Sequence, residues 1–142
     1  MFERLSDMSR RAIVMSQEEA RLLGHARISL EHLLLSLCRD DVESAKFLAD
    51  FGLAYEQVIE EIEKVNPPQK QNVEGHIPFA FDYTGVLLAA SRMRDDSKEQ
   101  FTSTNHLLLA LLEQENENID EIIGEIGVDR AALKQKLLEP PV

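Results

Sequence analysis

Two copies of one short stretch, set 74 positions apart, constrain this chain more than any other feature of it. The first is Ser29-Leu30-Glu31-His32-Leu33-Leu34-Leu35-Ser36-Leu37, and the second is Ser103-Thr104-Asn105-His106-Leu107-Leu108-Leu109-Ala110-Leu111. Each opens on a small polar residue suited to cap a helix and then turns apolar. Three successive leucines spread over more than half of a helix's circumference, so both helices must be buried on most sides. The offset extends outward from the motif: Phe79 falls opposite Leu5, Val86 opposite Ala12 and Leu87 opposite Ile13. Gly127 matches Gly52 at an offset of 75, which places one extra residue in the second copy, in the acidic loop 114–118. An internal repeat of this length means two supersecondary units that bury their faces against each other.

Around the two motifs the apolar period is helical throughout. The spacing of Met8, Ala12, Met15 and Leu23 predicts a helix over 7–23, capped by Ser6 and stopped by Gly24. Further helices are expected over 30–39, over 43–51 with Gly52 as its stop, and over 55–65. The stretch 66–78 is polar, holds three prolines and one glycine, and has no apolar period, so it is a linker. After it the pattern restarts, with helices expected over 82–96, 104–113, 119–126 and 129–138 and an end at Pro140 and Pro141. The expected fold is therefore all-α, eight helices in two pseudo-twofold four-helix repeats. Repeat one spans 1–65, the linker 66–78 and repeat two 79–138, within a single domain covering 1–142. A unit of about 65 residues is marginal alone, which requires the two repeats to pack together.

Composition excludes several functions. With 44% hydrophobic and 29% charged residues in 142, the chain has the makeup of a globular domain. No run approaches the roughly 20 apolar residues of a membrane-spanning helix, and Met1-Phe2-Glu3-Arg4 does not open a signal peptide. One cysteine, Cys38, rules out an internal disulfide and fits a reducing, cytoplasmic setting. The net charge of −11, with basic residues scattered, argues against nucleic acid as a partner.

The repeated stretch resembles the helix-opening motif Gly-Thr-Glu-His-Ile-Leu-Leu-Gly-Leu of the Clp N-terminal (Clp repeat) domain, most closely of the ClpC type. The opening Met1 to Arg4, the segment around Gln17-Glu18-Glu19-Ala20-Arg21, and Gly75-His76-Ile77-Pro78-Phe79 are similar to that family as well. The resemblance covers essentially the whole chain. It implies a non-catalytic, cofactor-free domain at the front of a hexameric AAA+ unfoldase that feeds a ClpP-type protease. Its partners would be protein substrates and adaptor proteins, and the isolated domain would be a monomer. No Gly-x-x-x-x-Gly-Lys-Ser/Thr loop occurs here, so the ATPase modules are not in this chain. A free-standing Clp-repeat regulator, sequestering marked proteins away from the unfoldase, is the alternative.

By the same resemblance, the start of each motif helix is a site for phosphorylated arginine. The helix N-terminus receives the phosphoryl group and the motif glutamate receives the guanidinium. Around the first motif the site would comprise Ser29, Leu30, Glu31 and His32, and around the second Ser103, Thr104 and Asn105. Each copy keeps half of the pattern: Glu31 stands beside Leu30 where the family has Thr, and Thr104 stands beside Asn105 where the family has Glu. The family's Thr-Pro-Arg-Ala-Lys-Lys run is replaced by Ala80-Phe81-Asp82-Tyr83-Thr84-Gly85. One phosphoarginine site, around Glu31, is the expectation, because Asn105 carries no charge for a guanidinium. Phe2 and Phe79, with Arg10 and Gln17, would border a groove for peptides or adaptor side chains near the pseudo-twofold seam.

Plainer readings compete at each of these residues. An acidic residue in a first helical turn complements the helix dipole without any ligand, which suffices for Glu31. His32 and His106 recur at the third helical position, where a ring nitrogen can bond the helix start; no Cys or carboxylate stands with them at metal-ligand spacing, and His25 is seven residues from His32 across a helix break. Ser29 or Ser36 with His32 lacks the strand-turn-helix setting of a hydrolase nucleophile. Cys38 ends an apolar helix as a buried thiol, and the acidic stretch 113–125 lacks the residue order of a calcium loop. Neither a catalytic residue nor a metal ligand is expected.

Overall fold

The structure is a computed structural model and describes residues 2–139; the expected stop at Pro140 and Pro141, and Met1 of the opening segment, lie outside the described residues. Eight helices are present among them: α1 (Asp7–Leu22), α2 (Leu30–Leu37), α3 (Ala45–Asp50), α4 (Tyr55–Val65), α5 (Phe81–Asp96), α6 (Thr104–Glu113), α7 (Glu117–Ile126) and α8 (Arg130–Leu138). The all-α reading holds. Three of the helices begin where a short polar side chain replaces a missing backbone partner: Ser6 accepts from the Ser9 amide, Asn116 from Ile119 and Asp129 from Ala132. Asn116 therefore starts α7 two residues before the expected position, inside the stretch read as an acidic loop. α2 stops at Leu37, earlier than expected, and α3 is trimmed at both ends.

The two motif helices are the centre of the molecule. All eight residues of α2 are buried, as are Thr104 and every residue from His106 to Leu112 in α6. α1 packs on α2 and α5 on α6, repeating one unit, while α2 meets α6 and α4 meets α7 across the middle. Buried leucines of both motifs join Ile28, Leu53, Val58, Ile62, Ile77, Val86, Leu87, Ile119, Ile122 and Leu133 in one continuous core.

The repeats are also laced together at their lead-ins. Leu5 forms a parallel bridge with Thr102, and Ile28 forms one with Phe79. The Ser6 amide donates to the Thr102 carbonyl and the Thr102 amide to Arg4, while Ala80 donates to Ile28 and Ile28 to Pro78. Phe79 and Thr102 lie 74 positions after Leu5 and Ile28, so each bridge is the pseudo-twofold image of the other. Each repeat's first residues thus complete the other repeat.

Candidate functional site

The start of α2 is closed. Leu30 and His32 are fully buried and the Glu31 side chain is only 2% exposed, with Ser29 half-buried at the cap. One carboxylate oxygen of Glu31 accepts from the Asn118 side-chain amide at 2.9 Å and from Asn66 at 3.2 Å. Asn118 sits in the first turn of α7 and Asn66 directly follows α4. Glu31 therefore ties α2 to the second repeat and to the linker, besides complementing the dipole of its own helix.

His32 and His25 form a polar chain beside it. The Ser29 amide donates to His32 Nδ1 at 2.8 Å, so the imidazole proton is on Nε2. That proton points to His25 Nδ1 at 2.8 Å, and His25 Nε2–H donates to the Pro67 carbonyl at 3.0 Å. Burial, with His25 as the second cause, pushes the His32 pKa down to about 3, so the His32 ring is neutral. Among the described residues, no three His, Cys, Asp or Glu side chains gather as a metal site. Cys38 is buried and its thiol is pushed up to about 12 by burial.

The second motif has the same frame and an open outer face. Ser103 accepts from the His106 amide, and the Ser103 amide donates to His106 Nδ1 at 2.9 Å, completing a capping box with histidine in the place of glutamate. His106 Nε2 lies 2.7 Å from a Glu99 carboxylate oxygen, whose carboxyl is held below the usual range first by the Ser97 hydroxyl and then by His106. Glu99 stands 74 positions after His25, so the two repeats keep the histidine and change its partner. Thr104 is buried, whereas Asn105 is exposed. Asn105 looks onto a groove of about 850 Å³ between the end of α5, the start of α6 and the end of α8. Met93, Leu109, Leu137 and Leu138 supply its apolar surface, and Asp96, Glu99, Glu113 and Glu139 its charge. Glu139 also reaches Lys136 at 3.3 Å, which leaves the rim acidic on balance.

At the seam, the rings of Phe2 and Phe79 meet at 5.8 Å and those of Phe79 and Tyr83 at 4.6 Å, each pair tilted. Phe2 remains 44% exposed. Arg10 is exposed and Gln17 half-buried, two turns apart on α1. The sequence reading missed Phe81, 92% exposed, with Leu88 two turns along α5. Their signal was present in α5, where apolar residues surround the helix instead of keeping to one stripe. It also missed a cleft of about 770 Å³ around Arg39 and Tyr55. Behind this cleft the buried Glu19 carboxylate takes hydrogen bonds from Arg39 and Tyr55, each at 2.7 Å, so the Glu19 charge is already paired with Arg39.

Residues 4–126 match the family described as the Clp repeat (R) N-terminal domain. The chain is 32% identical to the ATP-dependent Clp protease ATP-binding subunit ClpC of Staphylococcus aureus over 130 residues, which is 84% of this chain and 14% of that protein. It is 28% identical to the chaperone protein ClpB of Oceanobacillus iheyensis over 144 residues, 98% of this chain and 17% of that one. The chain thus spans about a sixth of the length of these relatives. Among solved structures, the N-terminal domain of ClpD from Arabidopsis thaliana superposes with a TM-score of 0.82 at 23% identity, covering 97% of this chain and 94% of that one. The Hsp104 N-terminal domain from Candida albicans superposes with a TM-score of 0.76 at 22% identity, covering 96% and 91%.

Proposed function

Since the chain belongs to the Clp repeat N-terminal domain family, we propose that it is a substrate- and adaptor-binding module working with a ClpC-type AAA+ unfoldase and a ClpP-type protease. The observation that carries this reading is the open groove at the start of α6. It combines an apolar surface with an acidic rim and is large enough for several side chains of an extended segment. Unfolded or tagged protein segments offer both matching features, apolar side chains and lysine or arginine heads. The acidic rim attracts the heads and the leucines bury the stems.

Recognition of phosphoarginine marks belongs to the same reading but to the other repeat. The guanidinium partner there is Glu31, and the α2 N-terminus supplies unpaired N–H groups for the phosphoryl. To reach Glu31 the mark must displace the Asn66 amide, whose bond is the longer of the two. In the second repeat, the rim of Asp96, Glu99, Glu113 and Glu139 disfavours a phosphoryl group, so an unmodified basic segment is the ligand of that groove.

Calorimetric titration separates these ligands. An extended peptide alternating leucine and arginine is expected to bind once, and the double substitution Glu113→Lys with Glu139→Lys to weaken it about tenfold at low salt. Free phosphoarginine is expected to bind at one site and to lose that binding in Glu31→Ala. Two equal phosphoarginine sites, or peptide binding indifferent to the charge reversal, would refute the assignment.

A further inference from the structure

In the first repeat, a segment of the chain itself covers the place that corresponds to the open groove of the second. Residues 66–71 leave the end of α4 and run back over the end of α1 and the start of α2. The Gln69 amide donates to the Leu23 carbonyl at 2.8 Å, and His25 Nε2 donates to the Pro67 carbonyl at 3.0 Å. The Gln71 side chain donates to the Gly24 carbonyl at 2.5 Å, and Asn66 reaches Glu31 at 3.2 Å. The seat depends on Gly24, where φ is +72° and a Cβ would stand 2.1 Å from the Gln69 carbonyl oxygen. Lys98, 74 positions on, also has a positive φ of 58° but carries a side chain. The side chain at Lys98 keeps any segment farther from it than Gln69 is from Gly24.

We infer that residues 66–71 are the resident occupant of a second peptide seat, a strap that a competing extended segment displaces. The incoming segment is defined by what the strap presents: a main-chain carbonyl to His25 Nε2, a main-chain N–H to the Leu23 carbonyl, and an amide side chain to Glu31. Residues 67–72 are exposed along their length, so hydrogen bonds that water can replace hold the strap down, with no buried apolar anchor. Its ends are fixed independently of the seat. The Asn66 amide bonds the Ile62 carbonyl at one end, and Ile77 is fully buried beyond the other. The strap can therefore lift without opening the core. This inference rests on the reading of the domain as a binder of protein segments and adds a seat to it.

Native-state hydrogen exchange on the intact domain tests the lifting. The Gln69 amide is expected to exchange at least about 100-fold faster than the α2 amides of Leu34 to Leu37. Exchange of Gln69 at the α2 rate would make the strap an inseparable part of the fold and overturn the inference. The seat is tested with a synthetic peptide of residues 65–72 and a domain whose residues 66–72 are replaced by Gly and Ser. Saturable binding at one site is expected, about tenfold or more tighter than on the unaltered domain, where the strap competes. A replaced domain that folds but does not bind the peptide, or that fails to fold, equally overturns it. Binding of the leucine–arginine peptide at α6 is read separately through Glu113→Lys with Glu139→Lys, so failure of that reading is distinguishable from failure of the strap.

Discussion

His32 shows how one side chain can be decided by its neighbours. Its Nδ1 takes the Ser29 amide and its Nε2–H goes to His25, so a proton added to the ring must break the helix cap or confront a second imidazole. Burial, ahead of His25, sets its pKa at about 3 in the folded domain, below the ordinary 6.5 that it regains on unfolding. The neutral form is the folded one, so this contribution to stability is complete above about pH 6.5 and is lost as the pH falls toward 3. The expected loss approaches about 1.4 kcal/mol per pH unit within that window. Urea unfolding of the domain and of His32→Gln between pH 7 and 4 measures it. The profile of the variant should be the flatter, and parallel profiles would assign the acid sensitivity to other groups. The recurrence of His32 and His106 was legible in the sequence, and so was their place at the helix start. The partner of each, His25 in one case and Glu99 in the other, was not, because it arrives from the preceding turn through the packing of α1 on α2 and α5 on α6.

Among the elements, α1 and α5 occupy matching places, and their matching residues Ser9 and Tyr83 make unlike bonds. Ser16 gives its hydroxyl proton to the Ile13 carbonyl, so the buried Tyr83 hydroxyl donates to Ser16 at 2.7 Å. Tyr83 matches Ser9, whose hydroxyl instead donates to the Thr102 carbonyl at 2.8 Å. Tyr83→Phe keeps the ring against Phe79 and loses only the hydrogen bond, because Ser16 retains its bond to Ile13. The expected cost is about 1 kcal/mol by denaturant unfolding. A much larger loss would mean that the ring, not the hydroxyl, has moved. The sequence located α1 through its cap Ser6 and its apolar spacing, both of them local, and α5, which starts at Ala80 without a side-chain cap, through the repeat of the α1 pattern 74 positions on. Errors fell where local signals were thin, as at the ends of α3 and at Asn116, whose acidic surroundings read as a loop although it is a cap.

At the scale of the molecule, the paired bridges Leu5–Thr102 and Ile28–Phe79 make the two repeats mutually dependent. A repeat cut free loses the partner of its lead-in, and the buried faces of α2 and α4 lose α6 and α7. Residues 1–65 alone are therefore expected to show little helix by circular dichroism, and mixing with residues 66–142 should restore it. A cooperative thermal transition in the isolated fragment 1–65 would contradict this. The same interdependence positions Asn118, from the second repeat, on Glu31 in the first.

The sequence by itself determined the all-α class, the repeat, the helix starts at Ser6 and Ser103, and the burial of both leucine-rich helices. The repeat follows from the match of two stretches 74 positions apart, and the rest from spacing and capping over a few residues, where backbone geometry fixes which side chains share a face. Only the tertiary structure decided that Glu31 is enclosed while Asn105 is open. The enclosing groups, Asn66 and Asn118, lie 35 and 87 residues from Glu31, and no period in the chain connects them. What a carboxylate can bind depends on which donors the fold brings to it, here one from the end of α4 and one from the first turn of α7.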